Sequence, residues 1–193
     1  MMKRPGGADF APGAYVFPGG TVTDDDRAFD DHLRAAAVRE LFEEVGILLA
    51  SGATDTECDR VRQLVSGGEP FGAALAGVGL VPDFDALVLF ARWVTPAMLR
   101  RRYDARFYLA RMPAGQEVRA MEGEVSDWVW ISPSRALASR EITLVYATRA
   151  VLESVAGATD VESLFRRARA QGDVPVVEPR VVQTAAGWEV LRD

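Results

Sequence analysis

The chain has 193 residues, 49% hydrophobic and 26% charged, with a net charge of −6 and a pI near 4.9. The acidic balance argues against broad nucleic-acid or anionic-membrane binding, which wants a basic face. The length predicts one domain, residues 1–193, with room for a full core. Cys58 is the single cysteine, so no intrachain disulfide can form. There is no signal-peptide core and no apolar run of about 18 residues, so a reducing, cytoplasmic setting is expected.

Met1-Met2-Lys3-Arg4 runs into a loop, Pro5 to Pro12, before Tyr15-Val16-Phe17 and a Pro-Gly-Gly turn. Met1–Arg4 reads as the tail of a strand. A sheet edge left open there would invite a second copy, so a homodimer is expected. A helix is predicted over 32–45, with Asp30 or Asp31 as its cap and Gly46 as its stop. Leu33, Ala37 and Leu41, with Val38, Phe42 and Val45, should form its buried side. Residues 54–78 read as one or two short helices around Gly67-Gly68, an insertion packed beside the core.

Strands are predicted over 87–94, 105–110 and 128–131. Ser132-Pro133-Ser134 opens a short helix, with Pro133 in its first turn. Residues 143–156 and 161–170 have amphipathic helical periodicity. Residues 174–182 and 188–191 read as a terminal strand pair turned at Ala185-Ala186-Gly187. This order gives an α/β fold, a mixed sheet sandwiched by helices.

The most informative stretch is Arg39-Glu40-Leu41-Phe42-Glu43-Glu44-Val45-Gly46-Ile47. At 100° per residue, Glu40, Glu43 and Glu44 share a sector of roughly 100°. Like-charge pairs at these spacings cost an isolated helix about 0.2–0.5 kcal/mol each. A hard divalent cation, which takes carboxylate oxygens, is the natural compensation. Three glutamates alone would more simply be a solvated face, with Arg39 and Glu43 as an i, i+4 pair. The residues around them decide between the two readings.

Arg39 to Ile47 resembles the second half of the Nudix box, and Phe17-Pro18-Gly19-Gly20 resembles its opening turn. The box spaces its glycine and arginine by fourteen residues, whereas Gly20 and Arg39 are nineteen apart. Five residues are thus extra, around Thr21 to Asp30, and Asp31 takes the place of the box's first glutamate. Segments 91–96, 105–110 and 124–128 are similar to the subgroup holding the mammalian peroxisomal acyl-CoA diphosphatase and its bacterial relatives, which also has an enlarged box. The resemblance implies a Nudix fold, an α/β/α sandwich around a mixed sheet with a helical insertion after the Nudix helix.

It also implies Glu40, Glu43 and Glu44 as ligands of Mg2+ or Mn2+, with Glu43 and Glu44 catalytic. Arg39 would orient them, paired with Asp31 or Glu43. Gly19 and Gly20 would bring main chain to the diphosphate, and Gly46 would give structural support. A further acid, as metal ligand or general base, would come from Glu124, with Glu122 behind it. The alternative for both is a plain acidic loop.

Coenzyme-A-cleaving enzymes of another subgroup carry a segment ending G-x3-F-P-G-G. Gly13 and Arg4 match it and make Arg4 a substrate-binding candidate, while Asp9 and Pro5 depart from it. The implied reaction is cleavage of a diphosphate linkage in a small nucleotide substrate, with CoA or acyl-CoA leading. ADP-ribose or a nucleotide sugar is the alternative. A non-catalytic nucleotide-binding module is the alternative of another class, and the intact glutamate trio counts against it. A regulator with a DNA-binding extension lacks the basic second domain.

Arg100-Arg101-Arg102 reads as a solvated turn, with attraction of an anionic substrate as the alternative, His32 as a surface residue and Cys58 as a packed thiol. Trp93, Trp128, Trp130 and Phe107 read as core, although one of them could line a base pocket.

Overall fold

A computed structural model describes residues 1–184 and 187–191. In chain order the elements are β1 (Met2–Lys3), β2 (Tyr15–Val16), α1 (His32–Val45), α2 (Asp55–Ser66), α3 (Phe71–Gly77), β3 (Val88–Val94), β4 (Asp104–Leu109), β5 (Asp127–Trp128), α4 (Pro133–Ala138), α5 (Tyr146–Val155), α6 (Val161–Ala170), β6 (Val176–Val177), β7 (Arg180–Thr184) and β8 (Gly187–Leu191). They form two compact units: Met1–Leu87 with Arg111–Ala156, and Val88–Ala110 with the chain from Gly157 on. Among the described residues no helix is long and apolar enough to cross a membrane.

In the first unit β1 is the middle strand of a three-stranded antiparallel sheet, order β2-β1-β5. Met2 pairs with Val16 and Trp128, and Lys3 with Tyr15 and Asp127. The first strand is therefore short but paired on both sides, and it is not an open edge. Met2 is 1% exposed and packs with Val45, Ile47 and Val125. Tyr15 Oη donates to Asp127 Oδ2 at 2.6 Å across the opposite face.

Helix α1 spans the predicted residues. The Asp31 carboxylate accepts from the Arg34 N–H at 3.0 Å and caps it. Gly46 ends it at φ 75°. A Cβ on Gly46 would lie 2.7 Å from the Arg62 guanidinium and 3.0 Å from Arg119, so both conformation and space call for glycine. The buried face differs from the expected one. Ala35, Val38, Phe42 and Val45 face inward with Ala36, Arg39 and Glu44, while Leu33, Ala37 and Leu41 are half-buried. The inward stripe carries two charged residues, which hydrophobic periodicity alone does not register.

The insertion forms α2 and α3 on either side of Gly67-Gly68 and packs on α1. Phe71 lies 5.8 Å from Phe42, centroid to centroid, and the Arg62 guanidinium sits 5.4 Å above the same ring. Cys58 is buried on α2. Helix α5 starts at Tyr146 rather than Thr143, because 143–144 are extended: the Thr143 carbonyl accepts from the Tyr15 N–H at 2.8 Å. Strand β5 is only two residues long. Trp128 and Trp130, expected in the core, are 41% and 67% exposed.

In the second unit β3 pairs antiparallel with β4, through a bulge at Leu89/Ala91, and parallel with β6. Trp93 is buried, as expected. Arg100–Arg102 form the exposed β3–β4 turn, where Arg102 donates to the Thr95 carbonyl at 3.0 Å and to Glu178 at 2.6 Å. The strand expected over 174–182 is broken at Glu178-Pro179. β6 joins β3, whereas β7 pairs with β8. Pro179 has no N–H to continue a ladder. In the expected final turn, Ala185 and Ala186 lie outside the described residues.

Candidate active site

The site is built in the first unit, where the loop after β2 meets α1. Arg39 is 7% exposed and holds this junction. Its Nε and Nη2 donate to the two oxygens of Asp26, each at 3.0 Å, and Nη2 also reaches the Thr21 carbonyl at 3.0 Å. Nη1 donates to Glu43 Oε2 at 2.7 Å, and Glu40 Oε1 lies 3.0 Å from Nη2. Burial pulls the guanidinium pKa down, but the bond to Asp26 and the charges of Glu40 and Glu43 outweigh it and hold it above its ordinary value. Burial would likewise raise Asp26, yet Arg39 and the Thr23 N–H and hydroxyl hold it low.

Arg39 thus pairs with Glu43, as expected, but its other carboxylate partners are Asp26 and Glu40 rather than Asp31. Asp31 is spent on capping α1 and on an ion pair with Arg34. Sequence reasoning missed Asp26, although the signal was there. Counting six residues forward from Gly20, the box's own spacing from glycine to first acid, lands on Asp26. The five extra residues therefore follow that acid rather than precede it.

Glu44 is 6% exposed and accepts from the Gly19 N–H at 2.8 Å. Burial pushes its pKa up to about 7. The Gly19 bond and Arg4 work against the rise, and the charges of Glu40 and Glu124 add to it. Glu40 is also raised by burial. A Cβ on Gly20 would overlap the Glu40 carboxylate, so glycine is what lets the turn lie against the helix. The structure therefore brings together Gly19, Gly20, Glu40, Glu44, Glu124 and Arg4, with Glu43 and Arg39 beside them. Arg4 is steadied by its Nε bond to the Phe10 carbonyl at 2.8 Å. Glu122 is exposed on the same turn as Glu124, and His32 lies at the far end of α1 from Glu44.

Among the described residues, no three carboxylate, thiol or imidazole groups stand in a metal-holding arrangement, and Arg39 engages two of the three glutamates. The donor chemistry nevertheless suits a hard cation. Glu44 is buried beside two further acids, a concentration of negative oxygen that a divalent ion offsets.

Residues 29–148 match the family model of the NUDT19 Nudix domain. The chain is 32% identical over 143 residues to a Caenorhabditis elegans protein carrying the name nudix hydrolase 7, covering 71% of this chain and 47% of that one. It is 26% identical over 208 residues to the human acyl-coenzyme A diphosphatase NUDT19, covering 72% and 54% respectively. The chain thus spans about half the length of these curated relatives. A crystal structure of a Nudix hydrolase from Alicyclobacillus acidocaldarius superposes with a TM-score of 0.71 at 27% identity, covering 86% of each chain.

Proposed function

Because this chain belongs to the Nudix hydrolase family, through its NUDT19-type Nudix domain, we propose that it hydrolyses the diphosphate linkage of a nucleoside diphosphate joined to another group. CoA or acyl-CoA is the leading substrate. The observation that carries this reading is the Glu44 carboxylate pinned by the Gly19 N–H beside Glu40, Glu124 and Arg4. The name of the human relative and the match of Arg4 and Gly13 to half of a CoA-associated segment support the substrate. The likeness to the solved structure covers more of the chain than either unit alone, which supports one catalytic domain.

Glu40, Glu43 and Glu44 would hold Mg2+ or Mn2+. When bound, such an ion neutralises the diphosphate oxygens and makes a water nucleophilic near neutral pH. The protein supplies the rest. Arg39 fixes the Glu40 and Glu43 carboxylates, a support of the kind metal-site ligands need. The Gly19-Gly20 turn fixes Glu44 and leaves room for Glu40. Arg4 draws the anionic diphosphate toward the acids. Glu124 accepts the proton of the attacking water, whose oxygen bonds to phosphorus as the bridging P–O bond breaks.

The test is a panel of CoA, acyl-CoA, ADP-ribose, NADH and dinucleoside polyphosphates with Mg2+ or Mn2+, products resolved by mass. Adenosine 3′,5′-bisphosphate with a phosphopantetheine is the expected pair. ADP-ribose as the favoured substrate would move the assignment to a nucleotide-sugar pyrophosphatase.

A further inference from the structure

We propose that the groove between Trp130, Trp128, Met112 and Val118 takes the apolar acyl end of a substrate whose diphosphate lies at Glu40, Glu44 and Glu124. This rests on the diphosphate reading above and adds the substrate arm that the acids do not address. The groove is a cleft of about 560 Å3, completed by Gln116 and Glu117, within the range of small-molecule pockets. Trp130, Trp128 and Met112 are 67%, 41% and 39% exposed. Such large side chains clustered at the surface mark a binding site more often than isolated ones do.

Backbone pairings tie the elements that line the groove to those that carry the acids. Trp128 pairs directly with Met2, so the two side chains share a sheet face. Val118 packs on the same buried cluster as Met2. Immediately after it, the Arg119 and Met121 N–H groups donate to the Val45 and Glu44 carbonyls at 2.8 and 2.9 Å. One wall of the groove thus leads along the end of α1 to Glu44. The other leads from Trp128 back to Glu124, four residues earlier, on the turn that the Val125 N–H closes by donating to the Met121 carbonyl at 3.1 Å. The proposal places one linear substrate across both, diphosphate at the acids and acyl chain in the groove.

The lining favours an aliphatic chain over a nucleobase. A base is oriented by polar groups at its edge. Here Gln116 is held to the Leu48 backbone, its Oε1 accepting from the N–H at 2.8 Å and its Nε2 donating to the carbonyl at 2.9 Å. Among the described residues, Glu117 is the one charged side chain lining the cleft, and it repels phosphates. What remains is two indole faces, a thioether and a valine.

The test is calorimetric binding of CoA and decanoyl-CoA in EDTA, on wild type, Trp130→Ala and Trp130→Phe, with hydrolysis of both ligands measured separately in Mg2+. Burying two methylenes is worth about tenfold in affinity. Decanoyl-CoA should bind wild type at least tenfold more tightly than CoA, Trp130→Ala should close that gap, and Trp130→Phe should keep most of it. Trp130 is mostly exposed, so the fold should survive, and Trp128→Ala gives a second reading. Equal affinities in wild type, a gap that survives both alanine variants, or an equal loss of both ligands would overturn the assignment. An acyl-dependent gap closed by Trp130→Ala, without hydrolysis of either ligand, would leave the groove standing and remove the proposed reaction. Hydrolysis of both without a gap would do the reverse.

Discussion

A guanidinium as buried as that of Arg39 must find a partner for its charge and its N–H groups, and Asp26, Glu40, Glu43 and the Thr21 carbonyl supply them. Removing one partner of a buried pair leaves the other charge uncompensated, at about 3–5 kcal/mol. Asp26→Asn should therefore destabilise the fold by roughly that amount in urea unfolding at pH 7. The pH dependence follows from the depressed Asp26 pKa. Above about pH 4, the ordinary aspartate value, the pairing contributes fully. It is lost as pH falls through the lower native value, so the difference between wild type and Asp26→Asn should shrink on acidification; a constant difference down to pH 2 would contradict the pairing. Glu44→Gln should behave oppositely to Asp26→Asn. It keeps shape and burial, so the melting temperature should hold while turnover falls by orders of magnitude.

At the scale of elements, α1 was legible to its last residue because three local signals coincide: the Asp31 cap, the helical period and Gly46. Its role as a scaffold for acids was legible from the spacing of Glu40, Glu43 and Glu44. Its inward face was not, since Arg39 and Glu44 are buried only because partners outside the helix satisfy them. The box's first acid was misplaced for a related reason, because a helix cap and an ion-pair partner are both aspartates and composition does not separate them. The terminal strands were misread because β6 and β7 are consecutive in sequence but pair with different strands. The Gly19-Gly20 turn supports a direct test. The atoms that Gly20→Ala would displace are the far end of a flexible side chain. Stability should change little, while misplacement of the Glu40 carboxylate should cost roughly 10²-fold in kcat/KM. Wild-type activity in Gly20→Ala would mean that the position of Glu40 is irrelevant to turnover. In the facing loop, Glu124→Gln should lower the rate by about 10²–10⁴-fold, with Glu122→Gln close to wild type. The reverse order would transfer the role to Glu122.

For the molecule as a whole, the α/β class and the family were legible because a nine-residue motif carries both, even with its loop enlarged. The exposure of Trp128 and Trp130 was not, because an aromatic residue in a predicted strand reads as core until the strand is seen to end at Trp128. The homodimer expected from an open first strand has no such edge to use, since β1 is flanked by β2 and β5. A dimer would need another surface, and a dilution-independent monomer mass in light scattering would remove it. The proposed function makes this chain a metal-dependent diphosphatase through the acids around Glu44. Its most direct test is hydrolysis of CoA and decanoyl-CoA in 18O-labelled water by wild type and Glu44→Gln, with Mg2+ and with excess EDTA. One label on a product phosphate, adenosine 3′,5′-bisphosphate as one product, and turnover abolished by either EDTA or the substitution are expected from that function. Turnover that persists in EDTA, or in Glu44→Gln at the wild-type rate, would contradict it.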